Sequence, residues 1–136
     1  MSLLALSVTG VLIVVAAFHL LWAIGYWMPI NDETALARAV IGSHEITRMP
    51  GAVSCATVTG ILFFAAILPH LMWFPARGLL MTFIALVFIA RGLAAFMPGW
   101  RRLTPEEPFA SLDRAYYGPL CLTLGIGYFI LSIGGF

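Results

Sequence analysis

Lysine is absent from this chain, and charge of either sign is scarce. Of 136 residues only 10% are charged, seven Arg against six acids, for a formal net charge of +1. A soluble domain carries roughly a quarter charged residues and under half apolar ones, whereas here 62% are apolar. A soluble sphere of this size could not hide so much apolar surface, so the composition excludes a soluble enzyme and a disordered chain. The near-neutral balance offers no basic patch of the kind a phosphate backbone requires, so no nucleic-acid partner is expected. Cysteine is limited to Cys55 and Cys121, far apart and inside apolar runs. They form neither a disulfide framework nor a C-x-x-C pair. His and Cys show no regular metal-ligand spacing, so no metal is expected. No ring of charges marks an ion filter. No repeat, low-complexity segment or linker divides the chain, which reads as one transmembrane domain over 1–136.

What is abundant is long apolar runs. A membrane-spanning helix needs about 20 predominantly apolar residues. Four stretches qualify, at about 3–28, 51–74, 79–97 and 119–136. Pro29, Pro50, Pro75, Pro98 and Pro119 fall at or beside their ends, where a missing N–H does least harm. Pro69 either kinks the second span or ends it a turn early. The first run has no basic n-region and is too long for a signal-peptide core, so it reads as a retained helix. The fold expected is an all-α, antiparallel four-helix membrane bundle.

Arginine placement orients the bundle. Arg38, Arg48, Arg101, Arg102 and Arg114 lie in the two long loops, against Arg77 alone on the opposite side. The positive-inside rule then puts both long loops in the cytoplasm and both termini outside. Trp22, Tyr26, Trp27, Trp73, Trp100, Tyr116 and Tyr117 cluster near the span ends, as interface anchors do, while Tyr128 lies deeper, in the core. Each long loop holds a short helix suited to the headgroup layer. In the first, Asn31 and Asp32 cap a helix through about Ile41, with Gly42 as its stop and Leu36, Ala39 and Val40 on one face. In the second, Thr104 and Glu107 read as a capping box with Pro105 at the first helical position, or else Pro108 starts the helix. Phe109, Leu112 and Tyr116 then share a stripe, with Asp113 off it.

In lipid, helices associate through close packing rather than the hydrophobic effect. Ala52, Ala56 and Gly60 form a small stripe on the second span, suited to packing within the bundle or to docking another membrane protein. Gly118, Gly125, Gly127 and Gly134 act similarly, less regularly, in the fourth.

A few residues are costly where they stand. Arg91 lies inside the third span, where an Arg costs about 2.5–3.5 kcal/mol on insertion scales. It snorkels to headgroups, pairs with Asp113 or Glu45, or grips an anionic head. His19 lies about two turns inside the first span, with a hydrogen-bond partner or a ligand or proton-relay role. No cofactor is expected. His19 and His70, the obvious haem pair, lie at depths of about 14 and 28 Å from the cytoplasmic face at 1.5 Å per residue. Cys55 and Cys121 sit at similar depth, as free thiols on a reducing side. The candidate polar cluster is therefore His19, Arg91, Asp113, Glu45, Tyr117 and Cys121, opening toward the cytoplasm.

Two segments, FHLLWAIG in the first span and PFASLDRAYYGPLCLTLG leading into the last, carry a resemblance. The chain resembles a family of small bacterial four-helix integral membrane proteins of unknown function. The resemblance implies a bacterial inner-membrane location and marks His19, Trp22, Phe109, Asp113, Tyr117, Pro119, Leu120 and Cys121. It departs from the family pattern at Gly118, where that pattern has Ser. It implies no activity. With no catalytic constellation recognised, the leading expectation is a non-catalytic accessory or structural subunit, packing against a larger membrane complex or forming a homo-oligomer. The alternative is a carrier or enzyme handling a small lipid or quinone-like ligand. That reading requires His19 and Arg91 to share one pocket.

Overall fold

The structure, a computed structural model, describes residues 2–134, and all regular secondary structure among them is helical. In chain order the elements are α1 (Leu3–Ala23), α2 (Glu33–Val40), α3 (Ala52–Ile67), α4 (Arg77–Ala94), α5 (Pro98–Leu103), α6 (Phe109–Leu112) and α7 (Gly118–Gly134). A 3₁₀ turn, Leu68–His70, extends α3, and a π turn, Asp113–Tyr117, fuses α6 to α7. Four helices are long and apolar enough to cross a bilayer: Leu3–Ala23, Ala52–His70, Arg77–Ala94 and Phe109–Gly134. Their outward faces carry exposed Leu, Ile, Val and Phe side chains, as lipid-facing helices require.

The boundaries differ from expectation for local reasons. The first span stops at Ala23 rather than Met28. Gly25, at φ +85°, reverses the chain, and the Tyr26 N–H reaches the Leu21 carbonyl at 2.8 Å. That is a Schellman stop, available to Gly without steric cost. Pro69 ends the α-helix early, and Arg77 donates to its carbonyl at 2.6 Å. The fourth span starts at Phe109, so Pro119 lies inside a continuous helix. Pro119 has no N–H, and its ring would crowd the carbonyl four residues back. The π turn just before it widens the ladder, and the Gly118 N–H bonds Asp113 O. Residues 135–136 of the expected fourth span lie outside the described residues.

In the first loop, α2 forms as expected, with Asp32 accepting the Ala35 N–H at 2.8 Å. Its apolar face, however, packs on protein: Leu36 and Ala37 are fully buried in a cluster with Trp22, Met49 and Cys55. The second loop departs further. Thr104 ends the unexpected α5 instead of capping a helix, and α6 begins after Pro108. Glu107 accepts from both the backbone N–H and hydroxyl of Ser111, at 2.9 Å each. These bonds hold its carboxyl below the usual carboxylate pKa, so this cap is intact near neutral pH and lost as pH falls through that lowered value. The π turn also rotates the expected stripe: Phe109, Ala110 and Asp113 are buried, while Tyr116 is exposed.

The long helices pair as α1 with α3 and α4 with α7, the pairs meeting chiefly through α1 and α7. Glycine sets the α4–α7 distance. A Cβ on Gly125 would stand 2.9 Å from the Ile89 backbone nitrogen, and one on Gly92 would stand 2.8 Å from the Gly118 carbonyl oxygen. The Ala52–Ala56–Gly60 stripe, in contrast, is exposed and nothing lies within 4 Å of a Cβ on Gly60, so of its two expected uses packing within the bundle is not the one it serves. Tyr128 is fully buried, stacked on Phe88, and its hydroxyl donates to the Ala65 carbonyl, tying α7 to α3. Away from the loops, the Thr9 hydroxyl donates to Ala66 O and accepts from His70 Nε2, both at 2.7 Å. A carbonyl can only accept, which fixes both directions.

Candidate functional site

The two long loops gather at one end of the bundle, the polar end, and lock together there. Arg38 lies 3.6 Å from the Glu106 carboxylate and donates to the Glu107 carbonyl at 3.3 Å. The Glu106 N–H bonds Gly42 O at 3.0 Å, and the Glu106 carboxylate accepts the Glu45 N–H at 3.1 Å. Gly42 is the tightest point. Its φ is +69°, and a Cβ there would stand 2.5 Å from Phe109 Cδ2. Both effects oppose a side chain, the first by left-handed strain and the second by overpacking. Gly42→Ala should therefore destabilise the protein by about 2–4 kcal/mol, read as a lowered unfolding midpoint in mild detergent.

Beneath this clasp sits an ionic cluster built around a buried carboxylate. Asp113 is fully buried. Its Oδ1 accepts from Arg91 Nη2 at 2.7 Å, and its Oδ2 from Trp100 Nε1 at 2.9 Å and Arg101 Nη2 at 3.2 Å. The Trp100 ring lies 4.8 Å from the Arg91 guanidinium, close enough for a cation–π contact. Arg101 also donates to Ala110 O at 2.9 Å and Thr104 Oγ1 at 2.7 Å. Charge-assisted bonds of this kind are what make a carboxylate tolerable out of water.

Of the two partners open to Arg91, the structure takes Asp113. Glu45 is exposed and joins the loop clasp through its backbone, so it does not belong with the other five. Two members of the cluster depart from their sequence reading: Arg101 reads as a loop charge and Trp100 as an interface anchor. Pro98 was the available signal. A Pro after a helix end can begin a new helix, and α5 folds back to present both side chains.

Beside the cluster lies a cavity of about 460 Å³, walled by α1, α2, α4, α6, the π turn and α7. His19, Arg91, Tyr117 and Cys121 all line it, with Val15, Phe18, Trp22, Pro29, Val40, Phe109 and Leu120 forming the apolar and aromatic remainder. Asp113 stands behind Arg91 rather than on the wall. Tyr117 is anchored by its hydroxyl to Ala39 O at 2.9 Å. His19 Nδ1 lies 2.8 Å from Val15 O and must carry the proton, which leaves Nε2 with a lone pair in the neutral ring. The His19 and Trp22 rings, 4.7 Å apart, also border a second cavity of about 140 Å³ that contains Ser54 and Cys55. Cys55 and Cys121 are both free. No group of three or more His, Cys, Asp or Glu able to hold a metal occurs among the described residues.

Residues 12–128 match a family described as protein of unknown function (DUF3995). The chain belongs to that family. The matched region includes every residue lining the larger cavity, from Val15 to Cys121. No curated protein and no solved structure matches the chain. Among the positions marked by the sequence resemblance, His19, Trp22, Phe109, Tyr117, Leu120 and Cys121 line the cavity, and Asp113 underlies it. At the departing position, a Cβ on Gly118 would stand 2.6 Å from Ala95 Cβ. The α4–α7 approach here therefore suits glycine.

Proposed function

We propose that this multi-pass membrane protein binds a small amphiphile drawn from the bilayer, as a carrier or an enzyme, at its polar end. The observation that carries this reading is that His19 and Arg91 line one cavity. Ligand sites are typically apolar concavities of roughly 300–1,000 Å³ with a few convergent polar groups, and the cavity of about 460 Å³ fits that description. An ionisable residue at membrane depth is by default a candidate for function. The arginine bias supports an orientation with the polar end, and hence the cavity, in the cytoplasm, and the sequence resemblance supports a bacterial inner membrane as its location.

A second reading, an accessory subunit of a larger membrane complex, is favoured by one observation. The Ala52–Ala56–Gly60 stripe faces outward without a partner helix, as small-residue faces do where helices associate.

One experiment separates the two. Native mass spectrometry of the protein extracted from its source membrane in mild detergent should show a monomer or homo-oligomer carrying a reproducible small-molecule mass. Leu120→Trp, which fills the cavity, should lose that mass while remaining folded. Co-extracted polypeptides in place of the small molecule would support the subunit reading, and a bare monomer would count against both.

A further inference from the structure

The charges around the cavity do not cancel. Asp113 faces two guanidinium groups, those of Arg91 and Arg101, so the cluster keeps one formal positive charge. The remaining acids are engaged in the loops or turned to solvent. Glu106 pairs with Arg38, Glu107 caps Ser111, Asp32 and Glu33 accept backbone N–H groups, and Glu45 is exposed. Arg101 makes three hydrogen bonds within the cluster, leaves its buried Nε without an acceptor among the described residues, and does not line the cavity. Arg91 does. Its Nη2 is bonded to Asp113, while its Nη1 is buried and has no hydrogen-bond acceptor among the described residues. The Trp100 ring offers that guanidinium a π face but no lone pair. His19, donating through Nδ1 to Val15, presents an acceptor at Nε2 when neutral, so holding an anion falls to Arg91.

Resting on the amphiphile reading above, we propose that the cavity takes a single-chain amphiphile with one negative charge on oxygen. A long-chain carboxylate is the simplest example. Its head lies on Arg91 and its chain along Val15, Phe18 and Leu120. One anionic head completes the charge balance and gives the guanidinium a charge-assisted acceptor. A neutral quinone or alcohol oxygen can accept from the guanidinium but leaves the positive charge unbalanced.

The test is binding to the purified full chain in mild detergent, using oleate, oleyl alcohol and dioleoyl phosphatidylglycerol as probes. Wild-type protein should bind oleate at least about tenfold more tightly than oleyl alcohol, the uncharged analogue with the same chain. Arg91→Gln should abolish that preference, and Arg91→Lys should keep part of it. Equal binding of oleate and oleyl alcohol would overturn the anion assignment while leaving the cavity reading in place. Phosphatidylglycerol binding that excludes oleate would overturn the single-chain carboxylate in favour of a phospholipid head. Binding of none of the three, together with a bare protein from the source membrane, would overturn the cavity reading itself. The oleate–oleyl alcohol comparison needs no variant, so it decides the question even if Arg91→Gln fails to fold.

Discussion

Asp113→Asn is expected to lower the stability of the protein by about 3–5 kcal/mol, the range for removing one partner from a buried ion pair. The carboxylate accepts from Arg91, Trp100 and Arg101, with no exposure of its own. Asn preserves the shape but removes the charge, and its amide group presents N–H donors to a surrounding of donors. Both guanidinium groups would then lack a counter-ion at the edge of an apolar bundle, where an uncompensated charge is costly, with Arg101 keeping only its bonds to Ala110 O and Thr104 Oγ1. Denaturation in mild detergent, followed by circular dichroism, measures the loss. Trp100→Phe removes one donor and leaves the ion pairs, so it should be clearly milder. If the two variants unfold together, the ionic cluster does not hold the polar end in place.

Gly125→Val should destabilise the α4–α7 pair by about 1–3 kcal/mol or more, as overpacking does. The Cβ would stand 2.6 Å from Ile89 Cγ1, 2.9 Å from the Ile89 nitrogen and 3.0 Å from the Ala85 carbonyl oxygen. Two of those three atoms are backbone and cannot rotate away, so the helices must separate. Separation weakens the close packing that holds helices together in lipid. Gly60→Val is the matched control, because nothing lies within 4 Å of a Cβ at that position. Its unfolding midpoint should remain near wild type. A similar loss in both variants would indicate a general helix effect rather than this seam.

Much of the molecule could be read in one dimension. Asp32 as the cap of α2 and Gly42 as its stop were legible because capping depends on residues a few positions apart. The spans were legible because bilayer thickness sets their length. Pro119 misled, because a proline usually marks a helix end, and here a π turn accommodates it inside one. Gly25 is a recognised kind of helix stop after an apolar run, but the aromatic residues that follow it extend the apolar pattern past it. The small stripe on α3 reads as a bundle contact or a docking face and packs on nothing within the bundle, while Gly118 and Gly125, legible as packing glycines on the fourth span, form the tight seam together with Gly92 on α4. Trp100 and Arg101 read in sequence only as a rim aromatic and a loop charge, because nothing local ties them to Asp113, thirteen and twelve residues away.

The sequence by itself determined the class of the molecule. Scarce charge and four long apolar runs leave room only for a helical membrane bundle, since every backbone polar group must be satisfied within its own helix. It also showed that Arg91 and His19 stand in an environment where polar groups need a reason. The tertiary structure decided how each helix is rotated about its axis. A helix that is apolar on every side carries no amphipathic stripe to set that rotation, so packing sets it. That rotation turned Arg91 toward Asp113, brought His19 to the same cavity and left Glu45 in the loops.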